Sequence, residues 1–252
     1  MTYADRVPAP AVALDAAGKS YGGTVALAPL SLEVARGERL AVLGPSGSGK
    51  TTLLNLIGGV VGPDTGTVAL SGRDISGMRP GRELAALVGV MHQQFDLVPH
   101  LSVVHNVLAG RLGEWSLWHS LVSLVSARDV SLAVSAAARV GIADKLRERT
   151  SRLSGGEQQR VALASLLVQQ PGIVVADEPV SSLDPTRADD IVRLLTSIVD
   201  ESGNSLVASL HSIDLARRYF TRAIGLRENR LRFDVDMSEL GDDTLRSLYD
   251  LG

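Results

Sequence analysis

The chain has 252 residues, of which 45% are hydrophobic and 21% charged, with a formal net charge of −3. This composition allows a substantial core in one or two compact lobes, and the lack of a basic excess argues against nucleic acid as a partner. The sequence has no cysteine, which excludes disulfides, thiol catalysis and zinc–thiolate sites.

Residues 1–8 lack the basic head and apolar run of a signal peptide, so we expect no secretory leader. No uninterrupted apolar stretch approaches the roughly 18 residues that a membrane-spanning helix needs. A chain without disulfides also suits the cytosol. We therefore expect no membrane span.

Two strands are predicted early in the chain, over residues 11–15 and 30–34, with a turn at Gly18 after the first. Residues 30–34 alternate apolar and polar side chains, as a half-exposed strand does. Tyr21 stands just before two glycines. An aromatic residue most often serves packing, so this position alone leaves a ligand contact open.

Residues 44–51 read Gly-Pro-Ser-Gly-Ser-Gly-Lys-Thr, which fits the phosphate-binding P-loop pattern G-x-x-x-x-G-K-[ST]. The context agrees, because a short apolar strand is predicted over 38–43 and a helix over 51–57. A strand, a glycine-rich turn and a helix N-terminus direct backbone N–H groups and a positive dipole end at an anion. This pattern predicts nucleotide binding.

Each residue type in this loop has a physical reason. Gly44, Gly47 and Gly49 let the backbone take positive φ and approach phosphate closely. The Lys50 ammonium is expected to reach the β- and γ-phosphates, and the Thr51 hydroxyl is a ligand suited to Mg²⁺.

The middle of the chain changes character. Strands are predicted over residues 66–70 and 87–91, whereas apolar residues from 102 to 141 recur with helical spacing and predict a largely helical insertion. Within it, Trp115 and Trp118 lie in an apolar, weakly charged stretch. Core packing and a partner-binding surface are both open interpretations of this stretch.

A second glycine-rich segment follows, because residues 153–160 read Leu-Ser-Gly-Gly-Glu-Gln-Gln-Arg. Ser154 with Glu157 three residues later predicts a capping box at the start of a helix. Such a helix N-terminus is again able to bind an anion. Taken alone, however, the segment is more often an ordinary capped helix.

Two carboxylates follow a predicted buried strand over residues 172–176, since Asp177 and Glu178 come directly after it. Ligands of α/β sheets bind at the carboxyl ends of strands. Asp177 is suited to holding Mg²⁺ through water, and Glu178 to polarising an attacking water. His211 follows a further strand, over 204–210, and is a candidate sensor of the γ-phosphate.

The remaining elements carry fewer signals. A helix is predicted after Asp184, a hairpin over residues 224–233 around Glu228 and Asn229, and a helix-prone acidic tail from residue 234 onward. We find no motif in the tail.

The ordered set of motifs resembles the nucleotide-binding subunit of ATP-binding cassette (ABC) transporters. The resemblance covers nearly the whole chain, and its most specific part is Leu-Ser-Gly-Gly-Glu-Gln-Gln at 153–159. The matching motifs are the P-loop at 44–51, Gln93, the signature segment at 153–159, Val-Val-Ala-Asp-Glu at 174–178, Ser-Leu-Asp at 182–184 and His211.

This resemblance implies roles for individual residues. Tyr21 would stack on adenine, Gln93 would touch Mg²⁺ and transmit to the membrane partner, Glu178 would be the catalytic base, and His211 the switch histidine. The implied nucleotide-binding residues are Tyr21, Gly44, Pro45, Ser46, Gly47, Ser48, Gly49, Lys50, Thr51, Thr52, Ser154, Gly155, Gly156, Glu157 and the D-loop residue Asp184. The implied metal ligands are Thr51, Gln93 and Asp177.

The resemblance also implies an architecture and an assembly. The fold would be an α/β P-loop NTPase with a RecA-like core, an N-terminal antiparallel β layer and an inserted α-helical subdomain. The core lobe would span residues 1–94 and 164–252, and the helical subdomain 95–163. Two copies would pair head to tail, so that residues 154–156 of one copy face the ATP held by Lys50 of the other. Permease subunits would dock at the helical subdomain, on the cytoplasmic face of the membrane.

The stretches 93–113, 176–185 and 210–214 are similar, more closely, to the ATPase subunit of phosphonate-type importers. This likeness implies import of phosphonate, phosphite or phosphate with a binding protein and a permease. Alternatives are an accessory ATPase of carbon–phosphorus bond cleavage, an exporter ATPase, a DNA-repair or translation ATPase and a non-hydrolysing regulator. The chain departs from the family pattern at His92 and Ser165, but every phosphate-handling position is present, so we expect an active ATPase.

Overall fold

The computed structural model describes residues 9–78, 81–93, 96–111, 127–181 and 183–249. Trp115 and Trp118, for which the sequence left core packing and a partner surface open, lie outside these residues. The described chain forms two sheets with helices packed against them.

The first sheet is antiparallel and has the strand order β2-β1-β4-β5. Its strands are β1 (Val12–Tyr21), β2 (Thr24–Val34), β4 (Thr65–Leu70) and β5 (Arg73–Asp74). The turn predicted at Gly18 is wrong, because β1 continues through this residue to Tyr21. Gly18 instead pairs with Thr65 beside a register shift, where a Cβ would lie 2.7 Å from the Thr65 Oγ1. Its lack of a side chain serves close strand packing rather than a turn.

The second sheet has the order β10-β9-β3-β8-β7-β6. Its strands are β3 (Arg39–Leu43), β6 (Val88–Met91), β7 (Ile173–Ala176), β8 (Ser205–Ser209), β9 (Arg222–Arg227) and β10 (Arg230–Asp236). All neighbouring pairs are parallel except the β9–β10 hairpin. Every residue of β7 and β8 is buried. The apolar residues of both strands are therefore consecutive rather than alternating, and β8 is polar only at its two end residues, Ser205 and Ser209.

The described helices are α1 (Lys50–Ile57), α2 (Arg82–Leu87), α3 (Val103–Leu108), α4 (Ala127–Arg139), α5 (Gly155–Gln169), α6 (Pro185–Ser202), α7 (Ile213–Tyr219) and α8 (Asp242–Tyr249). Local chemistry sets the ends of α6: the Asp184 side chain accepts from the Arg187 N–H at 3.1 Å, and Gly203 ends the helix with a φ of 64°. None of the helices in the described ranges is both long and apolar enough to cross a bilayer.

Two buried clusters pack on opposite faces of the parallel sheet, because alternate residues of each strand point in opposite directions. Ala41 and Leu43 face the cluster that includes α3 to α7. Leu40 and Val42 face the other cluster, which α1 and the antiparallel sheet complete. The helical interpretation of residues 102–141 is confirmed where the structure describes them. Helix α5 continues across the boundary expected at residue 163, so the lobe limits stay a prediction.

Candidate active site

The predicted catalytic residues and metal ligands follow the carboxyl ends of four neighbouring parallel strands, β3, β8, β7 and β6. The register pairs Val42 with Ser209, Ala208 with Ala176, and Ala176 with Met91. The P-loop after β3, the carboxylates after β7 and His211 after β8 therefore meet at one edge of the sheet. This edge is where open α/β sheets bind ligands.

The three P-loop glycines have the positive φ angles that the sequence predicted. The φ angles are 147° at Gly44, 76° at Gly47 and 101° at Gly49. The loop is also packed closely, since a Cβ on Gly49 would lie 2.8 Å from the Ala26 carbonyl oxygen of β2. Among the described residues, the buried Ser48 hydroxyl has no hydrogen-bond partner. The loop thus turns from β3 into the N-terminus of α1, where Thr51 and Thr52 form the first turn.

Lys50 is held inside this loop and is only 5% exposed. Its ammonium donates to the carbonyl oxygens of Gly44 at 2.9 Å and Pro45 at 3.0 Å. Burial lowers the pKa of the Lys50 ammonium, and the negative charges of Glu178 and Asp177 oppose that shift. The two carboxylates are therefore close enough for their negative charges to stabilise the Lys50 ammonium.

The two carboxylates and His211 form a connected hydrogen-bond network. The Ser209 hydroxyl donates to Asp177 Oδ1 at 2.7 Å and accepts from the Glu178 N–H at 2.8 Å. The Glu178 Oε1 lies 2.6 Å from the His211 Nε2, and the Glu178 backbone has a φ of 47°. Sequence reasoning missed Ser209, because a serine inside an apolar strand gives no signal until the strand register is known.

Gln93 and Asp184 lie around this network. The Gln93 side chain donates from Nε2 to the Ser181 hydroxyl at 3.4 Å, which ties the end of β6 to the segment that follows Glu178. Asp184 caps helix α6, so in this structure its carboxylate serves the helix start. A cavity of about 790 Å³ opens beside Glu178 and His211, with Asp189, Asp214 and Arg218 on its walls.

The second glycine-rich segment begins helix α5 with the predicted capping box. Ser154 donates from its backbone N–H and its hydroxyl to Glu157 Oε2, each at 2.8 Å. These two hydrogen bonds, that from the backbone N–H foremost, lower the pKa of Glu157. Further along α5, buried Gln159 donates from Nε2 to the Pro179 carbonyl at 2.7 Å. The capped helix is thus tied directly to the residue after Glu178.

Two tyrosines lie near the site, and only one of them was predicted from the sequence. Tyr21 ends β1 with 49% of its surface exposed, and the Lys19 Nζ lies 5.7 Å from its ring centroid. Tyr249 of α8 was not foreseen, yet its hydroxyl accepts from the Gly44 N–H at 3.1 Å. Burial raises the pKa of Tyr249, and that hydrogen bond opposes the shift. The tail therefore contacts the first residue of the P-loop.

The predicted metal ligands are compatible with Mg²⁺. All three, the Thr51 hydroxyl, the Gln93 amide and the Asp177 carboxylate, offer oxygen, which Mg²⁺ prefers, and its sites combine one or two carboxylates with phosphate oxygens. The hydrogen bond from Ser209 to Asp177 Oδ1 is of the kind that orients a ligating carboxylate. In the described part of the chain, no cluster of three or more His, Asp or Glu forms a metal site of its own.

Curated relatives match most of the chain. A "Phosphonates import ATP-binding protein PhnC 1" from Pseudomonas syringae pv. syringae (strain B728a) is 46% identical over 230 residues, which are 90% of this chain and 86% of that protein. A PhnC from Thiobacillus denitrificans is 42% identical over 240 residues, 95% of this chain and 92% of its own. Against a PhnC from Anaeromyxobacter dehalogenans, at 46% identity, this chain spans 48% of the relative's length.

Solved structures of ATP-binding cassettes superpose on this chain. A dimeric ATP-binding cassette, MJ0796, bound to ADP and Pi in a post-hydrolysis state, superposes with a TM-score of 0.77 at 30% identity, covering 90% of this chain and 98% of the other. The cassette cbiO1 from Clostridium perfringens, part of the ABC transporter complex cbiONQ, gives a TM-score of 0.79 at 26% identity over 96% and 95% of the two chains. These likenesses confirm the predicted P-loop NTPase fold.

A model of the ABC transporter family matches residues 27–181, from β2 to the segment after Glu178. This range contains the P-loop, Gln93, the capped glycine-rich segment and both site carboxylates. Together with the relatives, it shows the family. The chain therefore belongs to the ABC transporter family, as one of its ATP-binding cassettes.

Proposed function

We propose that this chain hydrolyses ATP to power an importer of phosphonate or related phosphorus oxyanions, such as phosphite and phosphate. The names and 42–46% identities of the curated relatives support the cargo class. The observation that carries the chemistry is the convergence of Lys50, Asp177, Glu178 and His211 at one edge of the sheet. A lysine, a metal-binding carboxylate and a second carboxylate are the groups that phosphoryl transfer to water requires.

The P-loop binds the phosphates of ATP. Its backbone N–H groups and the start of α1 supply partial positive charge, and the Lys50 ammonium supplies a full charge. Thr51, Gln93 and Asp177 would hold Mg²⁺, which neutralises charge that develops on the phosphate oxygens. When ATP binds, the Lys50 ammonium exchanges its hydrogen bonds to the Gly44 and Pro45 carbonyls for contacts with phosphate oxygens.

Glu178 is the base that we assign to the attacking water. Its Oε1 is engaged by His211, so the other carboxylate oxygen is the acceptor for the water's proton. With a proton on Nε2, His211 donates to Glu178 and holds the carboxylate in one direction. A general base of this kind contributes about 10²- to 10⁴-fold to a rate.

The complete site requires two copies in this proposal. The chain has two helix N-termini suited to phosphate, at α1 and at α5, and the likeness to a dimeric cassette supports a head-to-tail homodimer. Residues 154–156 of one copy then close the site that Lys50 of the other begins. Tyr21 stacks on the adenine ring, as its exposed position permits.

The division into a core lobe, residues 1–94 and 164–252, and a helical subdomain, residues 95–163, is part of the same proposal. Permease subunits dock on the helical subdomain, and the dimer sits at the cytoplasmic face of the membrane. A substrate-binding protein delivers the cargo on the other side.

Replacement of the base tests the chemistry. The Glu178→Gln variant should bind ATP, accumulate as an ATP-bound dimer on size-exclusion chromatography, and lose at least about 100-fold in Mg²⁺-dependent turnover. The glutamine keeps the size of the side chain but cannot take a proton. Turnover at the wild-type rate would show that Glu178 is not the base.

Co-purification from membranes tests the cargo. The chain should bring down a permease, and vesicles that hold this complex should hydrolyse ATP faster when a phosphonate-loaded binding protein is added. A permease without any such binding protein would contradict import. Capture of soluble enzymes of carbon–phosphorus bond cleavage in place of a permease would favour the accessory ATPase instead.

A further inference from the structure

Ser209 occupies the junction between the P-loop strand and the two site carboxylates. It is the last residue of β8 and is fully buried, with 0% of its surface exposed. Its Cα pairs with Val42 of β3, and its neighbour Ala208 pairs with Ala176, the residue before Asp177. Its side chain therefore meets the residues that follow β7.

The Ser209 hydroxyl uses its donor and an acceptor on two different site residues. It donates to Asp177 Oδ1 at 2.7 Å and accepts from the Glu178 N–H at 2.8 Å. A hydroxyl has a single proton to donate, so its direction is fixed by the bond to Asp177. The contact to Asp177 is buried and the contact to Glu178 is partly buried. Away from water, hydrogen bonds are stronger and an unpaired group is costly.

The Glu178 backbone needs this support. Its φ of 47° lies in the left-handed region, which costs conformational energy for any residue that carries a Cβ. Such a conformation persists only when the surrounding contacts fix it. The hydrogen bond from the Glu178 N–H to Ser209 is one contact at that residue, and the hydrogen bond that Glu178 Oε1 accepts from His211 is a second.

We infer that Ser209 is a positioning residue for ATP hydrolysis, whose hydroxyl sets the direction of Asp177 toward Mg²⁺ and of Glu178 toward the attacking water. The inference rests on the roles proposed above for these two carboxylates. Ser209 touches neither ATP nor the reacting atoms, and it acts only through Asp177 and Glu178.

The Ser209→Ala variant removes both hydrogen bonds and leaves Lys50 and the P-loop backbone untouched. Its kcat should fall about 10- to 100-fold, as is usual when a hydrogen bond to a metal ligand is lost. The KM for ATP should change far less, because the phosphate-binding groups remain. The Mg²⁺ concentration needed for half-maximal binding of the non-hydrolysed analogue AMP-PNP should rise.

Ser205 offers a matched control on the same strand. It is 1% exposed, and its hydroxyl donates to the Ala35 carbonyl at 3.1 Å and accepts from the Gly37 N–H at 2.9 Å. Ser205→Ala therefore removes the same kinds of bond at the opposite end of β8. It should lower the melting temperature and leave both kcat and the Mg²⁺ dependence of AMP-PNP binding near wild type.

The Ser209→Thr variant keeps the hydroxyl and should retain a kcat closer to wild type than Ser209→Ala does. If the added methyl group prevents folding, the comparison between Ser209→Ala and Ser205→Ala decides alone. An unchanged kcat and Mg²⁺ dependence in Ser209→Ala, or equal losses in the two alanine variants, would overturn the inference. If Glu178→Gln is inactive while Ser209→Ala is fully active, only this inference fails; if Glu178→Gln is active, the proposed function fails.

Discussion

Gly49 joins the P-loop to helix α1 through a backbone that a side chain would not tolerate. Its φ of 101° lies where L-residues are rare, and a Cβ would sit 2.8 Å from the Ala26 carbonyl oxygen. Gly37 is a useful contrast, because its φ is also positive, at 73°, but a Cβ there would meet nothing within 4 Å. An alanine at Gly37 would meet backbone strain alone, whereas an alanine at Gly49 would meet backbone strain and a steric collision.

The Gly49→Ala variant should lose more stability than Gly37→Ala. The second change carries only the backbone penalty of about 1–2 kcal/mol, whereas the first adds displacement of β2 from the loop. Urea unfolding of both variants, followed by circular dichroism, measures the difference. Equal free energies of unfolding would contradict the close packing described for the loop.

Single residues were predictable from sequence where their chemistry is tied to a local pattern. Lys50 and Thr51 follow from the loop motif, and Glu178 and His211 from their positions after apolar strands. Ser209 was not predictable, because its contacts depend on the register of β8 against β7. Tyr249 was not predictable either, since its partner Gly44 lies 205 positions away.

Helix α8 shows how an element without a motif still reaches the site. Leu248 is fully buried, Arg227 donates to the Ser247 carbonyl at 2.9 Å, and Tyr249 accepts from the buried Gly44 N–H. The tail is thereby attached to β9 and to the start of the P-loop. A helix in the tail was predicted, but its packing partner was not.

Removal of the Tyr249 hydroxyl should weaken ATP binding. Tyr249→Phe keeps the ring and leaves the Gly44 N–H without this acceptor, which costs about 1 kcal/mol. Because Gly44 belongs to the loop that binds the phosphates, the Kd for ATP, measured by calorimetry, should rise by about three- to tenfold.

Tyr219→Phe is the control for this prediction. Its hydroxyl donates to Asp189 Oδ2 at 2.9 Å, which joins helices α6 and α7 and involves no P-loop residue. The variant should lose comparable stability without a change in the Kd for ATP. An unaltered Kd in Tyr249→Phe would show that the tail does not act on the loop.

Elements were predicted best where burial gives a simple pattern. The apolar runs of β3, β7 and β8 and the turn residues of the β9–β10 hairpin were enough, and Glu228 and Asn229 have the positive φ angles of such a turn, 53° and 61°. The two-residue strand β5 and the six-residue helix α2 are too short to form a recognisable period. Gly18 was misjudged because close strand packing and a turn both favour glycine.

At the scale of the whole molecule, one sheet brings the P-loop, Gln93, the two carboxylates and His211 to a single edge. Helix α5 begins away from these strand ends, with a capped glycine-rich segment of its own. Gln159 ties α5 to Pro179, next to Glu178, so the start of α5 is mechanically connected to the hydrolytic network of the same chain. We propose that this helix start completes the site of a second copy.

Two variants can each disable one half of that shared site. Lys50→Ala removes the ammonium from the P-loop. Gly155→Asp places a negative charge at the start of α5, where a Cβ would meet nothing within 4 Å and an acidic residue suits the helix dipole, so the chain should still fold. Each variant alone should be inactive, because both sites of its homodimer lack a working half.

The decisive measurement is ATP turnover by an equimolar mixture of these two inactive proteins. Each mixed dimer contains one site with an intact P-loop and an intact α5 start, so turnover should recover toward about a quarter of the wild-type rate. If each chain carried a complete site, no pairing could restore one. A mixture that remains as inactive as its separate components would contradict the shared-site account.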